Sequence, residues 1–223
     1  EPDLRYSGDA YFDRNHLMDL KVMGTLGLTE NDVQAIRSLE GVAQAEPGYS
    51  ADVMVERDGN QKVLHVSSIL DSMNQYTVEE GRMPKKDGEC LIDQDFIQGS
   101  DLKVGDEITL ISGTKDPVTD TFTKETFRIV GAGSSPEYIS FHRGSSMIGN
   151  GEVSGFLAVP KESFVTEAYT ECYVSVEGAE EETAFTEEYD QKVEKVAERI
   201  ESIGERQGAL RAEEIREDAR EEL

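Results

Sequence analysis

Two neighbouring stretches decide the fold class: LMDLKV at residues 17–22 and LTENDV at residues 28–33. In the first stretch apolar and charged residues alternate, which predicts a half-buried strand. The second has the signature of a helix start, because Thr29 can act as the N-cap and Asp32 stands where a capping box places an acid. We expect this helix to end near Gly41, a residue suited to a left-handed C-terminal cap. The chain therefore begins as strand, then helix.

Residues 42–69 extend this pattern with a hairpin. Residues 42–45 have an extended pattern that Pro47 and Gly48 are expected to break. Apolar residues then alternate from Ala51 to Val55, Asp58-Gly59 predicts a tight turn, and residues 63–69 form the return strand. Strand, helix, strand and hairpin in this order predict an α+β fold.

From Gly88 the pattern changes to short strands separated by turns, which predicts a small β-rich lobe over residues 88–133. Later strands at residues 156–159 and 172–176 are expected to return to the main sheet. We therefore divide the chain into a discontinuous α+β subdomain of residues 1–87 and 134–186, the inserted lobe of residues 88–133, and a charged helical segment of residues 187–223.

The C-terminal segment carries a heptad seam, in which apolar residues recur at alternating spacings of four and three. The seam positions are Tyr189, Val193, Val196, Ile200, Ile203, the polar Gln207, and Leu210. A single helix with so narrow an apolar stripe is marginal in water without a partner. The pattern predicts a coiled-coil-type stalk that pairs with a second helix outside this sequence.

The charge balance excludes several classes of partner. Lys and Arg number 22 against 47 Asp and Glu, a net charge of −25. Nucleic acids and anionic membrane surfaces need a basic protein face, so neither is expected here. The acidic surface instead favours a cationic peptide or a basic cell-envelope partner. No apolar run reaches 18 residues, and a chain that starts at Glu1 is expected to be a processed or excised piece.

Catalytic and metal-binding patterns are missing from the sequence. His16, His65 and His142 are far apart, and none has a second ligand at metal-binding spacing. No phosphate-binding loop or nucleophile elbow is present, so we expect no catalytic residue, no metal and no cofactor. Cys90 and Cys172 are read as two buried small apolar residues, with a disulfide as the alternative.

A Gly- and Ser-rich segment, residues 134–155, is expected to be an irregular surface element with aromatic residues beside it. Aromatic side chains next to such a segment suit recognition, although core packing explains them as well. The candidate partner-contact residues are Tyr138, Phe141, Arg143, Met147 and Phe156.

The order of these motifs resembles the extracytoplasmic core domain of MacB/FtsX-type ABC transporter permeases. The resemblance rests on residues 17–33, on LEGV at residues 39–42, and on the strands near residues 90, 107 and 129. The segment from Ser135 to Gly151 is similar to a subgroup of large permeases from monoderm bacteria. In that subgroup the domain continues into a long coiled coil, which agrees with the C-terminal seam.

The resemblance implies a porter-like α+β subdomain with a smaller β lobe, placed outside the cell membrane between the first and second transmembrane helices. It also implies a non-catalytic domain whose motion is driven by a separate cytoplasmic ATPase subunit, in a permease with a second copy or second half. Two alternatives stay open. One is a secreted or surface-anchored protein that binds a peptide or lipid through residues 134–155, and the other is a hydrolase.

Overall fold

The computed structural model describes residues 15–57, 59–138, 143–180, 182 and 186–221. Their strands form two sheets, one of three strands and one of seven. The helices of residues 30–37 and 187–221 pack on the smaller sheet, whereas a five-residue helix and connecting segments contribute to the core of the larger sheet. The mixture of sheets and a few helices confirms the α+β fold class.

The three-stranded sheet has the order β1–β10–β2 and is antiparallel throughout. Its strands are β1 (Leu20–Leu28), β2 (Val42–Gly48) and β10 (Tyr169–Val176). Helices α1 (Glu30–Arg37) and α3 (Glu187–Glu221) bury apolar residues against one face of it. The core between them includes Val33, Ile36, Cys172, Val174, Val196 and Ile200.

Helix α1 begins as the sequence predicts and ends earlier. The backbone N–H of Asp32 donates to Thr29, and the N–H of Thr29 donates to the Asp32 carboxylate at 2.7 Å, which completes the capping box. Its C-cap is Ser38 instead of Gly41, so the expected end was wrong by three residues. Gly41 has a positive φ of 92° in the turn before β2, where a Cβ would lie 2.9 Å from Val196.

The seven-stranded sheet has the order β3–β4–β9–β6–β8–β5, with β7 also paired to β8. Two of its pairings, β4 with β9 and β6 with β8, are parallel. The strands are β3 (Ser50–Arg57), β4 (Asn60–Ser68), β5 (Thr77–Gly81), β6 (Glu89–Asp93), β7 (Glu107–Thr109), β8 (Thr126–Ser134) and β9 (Val153–Val159). A five-residue helix α2 (Gln94–Gln98) follows β6.

Two expectations about the strands meet different outcomes. The β3–β4 hairpin forms, with Arg57 opposite Asn60 and Gly59 at a φ of 71°; Asp58 lies outside the described residues. The expected break comes slightly later than Pro47 and Gly48, because β2 includes both residues and ends at Gly48, before Tyr49. Pro47 is tolerated there since β2 lies at the edge of its sheet and needs no donor on its free side.

The strands of the predicted β-rich lobe share one sheet with strands that come before and after the lobe in the sequence. Strand β6 lies within residues 88–133 and β8 ends one residue beyond them. These strands pair with β9 and β5, which lie outside that range. The division at residues 88 and 133 therefore stays a prediction about folding units. Cys90 and Cys172 are both buried and free, and they belong to the cores of different sheets.

Candidate functional site

The heptad seam of α3 packs on the body of the protein. Val196 is 2% exposed and Ile200 8%, and Tyr189, Val193 and Ile203 complete the contact with the three-stranded sheet and α1. These residues need no second helix, which corrects the expectation that the whole seam requires an outside partner. The side chain of Leu210, the last seam position, lies outside the described part of the structure.

Asp19, the residue directly before β1, connects the start of α3 to strand β10. Tyr189 Oη donates to Asp19 Oδ1 at 2.7 Å, and the N–H of Val176 in β10 donates to Oδ2 at 2.7 Å. Burial raises the pKa of Asp19, and these two bonds oppose that shift only in part. One carboxylate therefore connects β1, β10 and α3.

Glu46 connects the smaller sheet to the segment after β4. Its carboxylate, on β2, accepts hydrogen bonds from the backbone N–H groups of Asp71, Ser72 and Met73 and from the Ser72 hydroxyl. Lys161 Nζ lies 3.8 Å away, and the Glu46 side chain is only 8% exposed. A buried carboxylate with this many donors resists displacement, because removing one partner leaves others unsatisfied.

A second link between the sheets centres on Lys21 of β1. Its ammonium lies 3.1 Å from Glu137 and 3.7 Å from Glu171, and these two carboxylates raise its pKa against the opposing effect of burial. Glu171, on β10, also accepts a 2.6 Å hydrogen bond from Ser50 Oγ at the start of β3. Asn74 donates to Glu137 at 3.3 Å. Both sheets therefore contribute to one largely buried polar cluster.

The candidate contact residues are distributed between the interior and the surface. Phe156 is buried and stacks on Tyr138, with ring centroids 5.5 Å apart. The Arg143 side chain is 6% exposed, pairs with Asp93 at 2.7 Å, and lies over the Tyr138 ring. Phe141 falls outside the described residues. Met147 is fully exposed, so of the described members it alone has its whole side chain open to solvent.

A polar group that the sequence analysis missed includes Ser146, the residue before Met147. Asp52 of β3 accepts a hydrogen bond from Ser146 at 2.5 Å and lies 2.7 Å from His65 Nδ1 of β4. Burial alone would raise the pKa of Asp52, but these two partners hold it below its ordinary value. The predicted hairpin contained the signal for this pair, because a turn at Asp58-Gly59 places residue 52 opposite residue 65.

This group has the residue types of a hydrolase triad in the wrong connectivity. A nucleophilic serine must hand its proton to histidine, whereas Ser146 donates to the carboxylate of Asp52. Within the described ranges, no group of three or more His, Cys, Asp or Glu side chains could hold a metal ion. The arrangement can fix the Ser146 backbone in place, and it supplies no activated nucleophile.

No helix in the described part of the chain combines the length and the apolar composition needed to cross a bilayer, and α3 in particular is highly charged.

Comparison with known proteins gives a family match. The model of the MacB-like periplasmic core domain matches residues 6–201. No curated protein matches at a significant level. Similar solved structures include the extracellular domain of the noncanonic ABC-type transporter YknZ from Gram-positive bacteria, at 14% identity over 69% of this chain and 75% of that one, with a TM-score of 0.43. Another is the periplasmic region of MacB from Actinobacillus actinomycetemcomitans, at 11% identity over 82% and 76%, also with a TM-score of 0.43.

Proposed function

Because the chain belongs to the family of MacB-like periplasmic core domains, the extracytoplasmic domains of ABC transporter permeases, we propose that it transmits motion driven by a separate cytoplasmic ATPase subunit. The domain itself is non-catalytic. It stands on the extracytoplasmic face of the cell membrane, connected to the ATPase and to a second permease copy or half through transmembrane helices outside this sequence, and it contacts a substrate or partner there.

The observation that carries the proposal is the connection made by Asp19. Its carboxylate binds Tyr189 of α3 and the N–H of Val176 in β10, so β1 and the C-terminal helix are fixed to the same sheet. From Ile203, the last described seam residue, α3 continues to Glu221, about 27 Å at 1.5 Å per residue. A displacement of this helix is therefore delivered to the three-stranded sheet.

The polar links then carry the displacement to the larger sheet. Glu46 holds the segment that follows β4, and Glu171 holds the start of β3. Both carboxylates are less than 10% exposed and accept several hydrogen bonds, so they resist sliding between the sheets. A tilt of α3 is then expected to move the whole domain as a lever.

The test uses the full permease with its ATPase subunit in membrane vesicles. A fluorophore is placed at exposed Lys62 on the larger sheet or at exposed Glu198 on α3, and energy transfer to an acceptor lipid is measured with and without a non-hydrolysable ATP analogue. We expect both positions to change their distance from the membrane when nucleotide binds. A nucleotide-independent distance at both positions would overturn the proposal.

A further inference from the structure

The segment that carries Met147 is a small hairpin with regular backbone bonding. The N–H of Ser146 donates to the carbonyl of Gly151 at 3.0 Å, and the N–H of Val153 donates to the carbonyl of Gly144 at 3.0 Å. Gly144 and Gly151 have φ values of 103° and 84°, which favour glycine over other residues. The exposed position of Met147 thus belongs to a folded element, here named the tip hairpin, residues 144–152.

Side-chain packing holds the tip hairpin on the body from two directions. Ile148 packs closely on Gly113, because a Cβ added to Gly113 would lie 2.5 Å from the Ile148 side chain. Gly149 packs on Val63 in the same way, because a Cβ added to Gly149 would lie 2.7 Å from the Val63 side chain. Ser146 is bound by Asp52 from a third side. The two residues flanking Met147 are therefore both fixed, so its side chain is presented at a defined place.

Met147 differs from the other exposed large apolar side chains of the described residues. Its relative exposure is 101%, against 70% for Met23, 71% for Leu26 and 46% for Val165. The support holds this apolar side chain fully in water, where it contributes no favourable burial. Binding of a partner that covers it would be favourable, and the cost of ordering the side chain's surroundings has already been met. Methionine suits this use because its flexible, polarisable thioether adapts to a pocket.

We propose that the tip hairpin is a preformed docking element that inserts Met147 into an apolar pocket of a basic extracytoplasmic protein. This deepens the proposed function, on which it rests, by naming the contacting element and the kind of partner. The partner is basic because a net charge of −25 steers cationic proteins toward the domain and repels acidic ones. The same charge disfavours a second copy of this chain and an anionic membrane surface.

The test places a photo-crosslinking amino acid at exposed Asn150, in the same hairpin as Met147, in the full permease expressed in its own cells. We expect a discrete protein adduct after irradiation. Met147→Ser is expected to lower its yield about tenfold, whereas Met147→Leu keeps it within about twofold, because the pocket recognises an apolar side chain. Met23→Ser, a matched change at another exposed methionine, is expected to leave the yield unchanged. In isolated membranes the yield is expected to fall as NaCl rises from about 0.05 to 0.5 M.

Each other result overturns the inference. An adduct with the mass of two permeases assigns the element to contact between copies, and lipid adducts alone assign it to the membrane. Equal yields for Met147→Ser and Met147→Leu show that Met147 does not anchor the contact. These outcomes are independent of the nucleotide-dependent movement, so movement without a Met147-dependent adduct would reject the docking element and retain the lever.

Discussion

Glu89 is the side chain whose protonation is most clearly coupled to folding. Arg82 donates to both of its oxygens, at 2.6 and 2.8 Å, and the N–H of Lys85 donates at 2.9 Å. The hydrogen bonds from Arg82, and after them the one from Lys85, lower its pKa to about 2. Since the unfolded value is 4.5, the stabilisation is complete above that pH and is lost as the pH falls toward 2.

Glu89→Gln is therefore expected to lower the free energy of unfolding at pH 7 by about 1–3 kcal/mol. The variant is also expected to lose less free energy of unfolding than the unaltered chain when the pH falls from 5 to 3. Urea unfolding at pH 7, 5 and 3 measures both effects. Glu79→Gln, at an exposed position on β5, is the control and should keep the acid-dependent loss of the unaltered chain. Equal acid sensitivity in Glu89→Gln and the unaltered chain would contradict the assignment.

Gly113 tests how closely the tip hairpin is packed. In Gly113→Ala the new Cβ would overlap Ile148, which must withdraw and loosen the hairpin at a cost of about 1–3 kcal/mol. We expect faster hydrogen exchange at the amides of Ser146 and Gly151. Gly99→Ala is the matched control, since the nearest atoms lie 3.5 Å or more from its Cβ. Unchanged exchange in Gly113→Ala would show that Ile148 does not fix the hairpin.

At the scale of elements, local signals were predictable and long-range pairings were not. The capping box of α1 and the β3–β4 turn lie within a few residues of sequence, so their physics is visible there. The parallel pairing of β4 with β9 joins residues about ninety apart, for which no spacing rule exists. In the sequence Glu46 stands before Pro47, as an acid often does in a turn. The backbone N–H groups that bind its carboxylate belong to residues 71–73, about 25 positions away.

The same distinction explains the seam of α3. Its periodicity correctly predicts a helix with one apolar face, but a heptad pattern does not say what covers that face. A coiled-coil partner and the surface of the same domain satisfy the pattern equally. The structure assigns residues 189–203 to the domain surface.

Ile200 measures what this packing contributes. Ile200→Ala is expected to lower the free energy of unfolding by about 2–4 kcal/mol, because the side chain is 8% exposed in the core beneath α3. Glu201→Ala, the exposed neighbour in the same helical turn, should change it by less than about 0.5 kcal/mol. Urea unfolding of both variants gives the comparison. Similar small effects would mean that α3 contributes little to the stability of the domain.

At the scale of the whole molecule, buried polar contacts connect the two sheets. The two sheets have separate apolar cores, and apolar contacts between them would fix their relative position less specifically than directed bonds, because the hydrophobic effect is non-directional. Hydrogen bonds to buried carboxylates have fixed directions and are costly to break. The links made by Glu46 and Glu171 would therefore serve the proposed transmission of force better than an apolar interface would.

Glu46→Gln is expected to separate the two sheets in their dynamics. In the variant an amide NH₂ group faces backbone N–H donors that the carboxylate accepts, so the link loses about 1–3 kcal/mol, equivalent to roughly 5- to 150-fold in the opening equilibrium. Native-state hydrogen exchange should then quicken at Cys172 and Val174 of the smaller sheet while Ile129 of the larger sheet keeps its rate. Glu56→Gln, at an exposed position on β3, should change neither. An equal loss of protection in both sheets would mean that Glu46 contributes to the stability of the whole domain and does not link the sheets. In that case a fluorophore at Lys62 should still move together with one on α3 in the vesicle experiment.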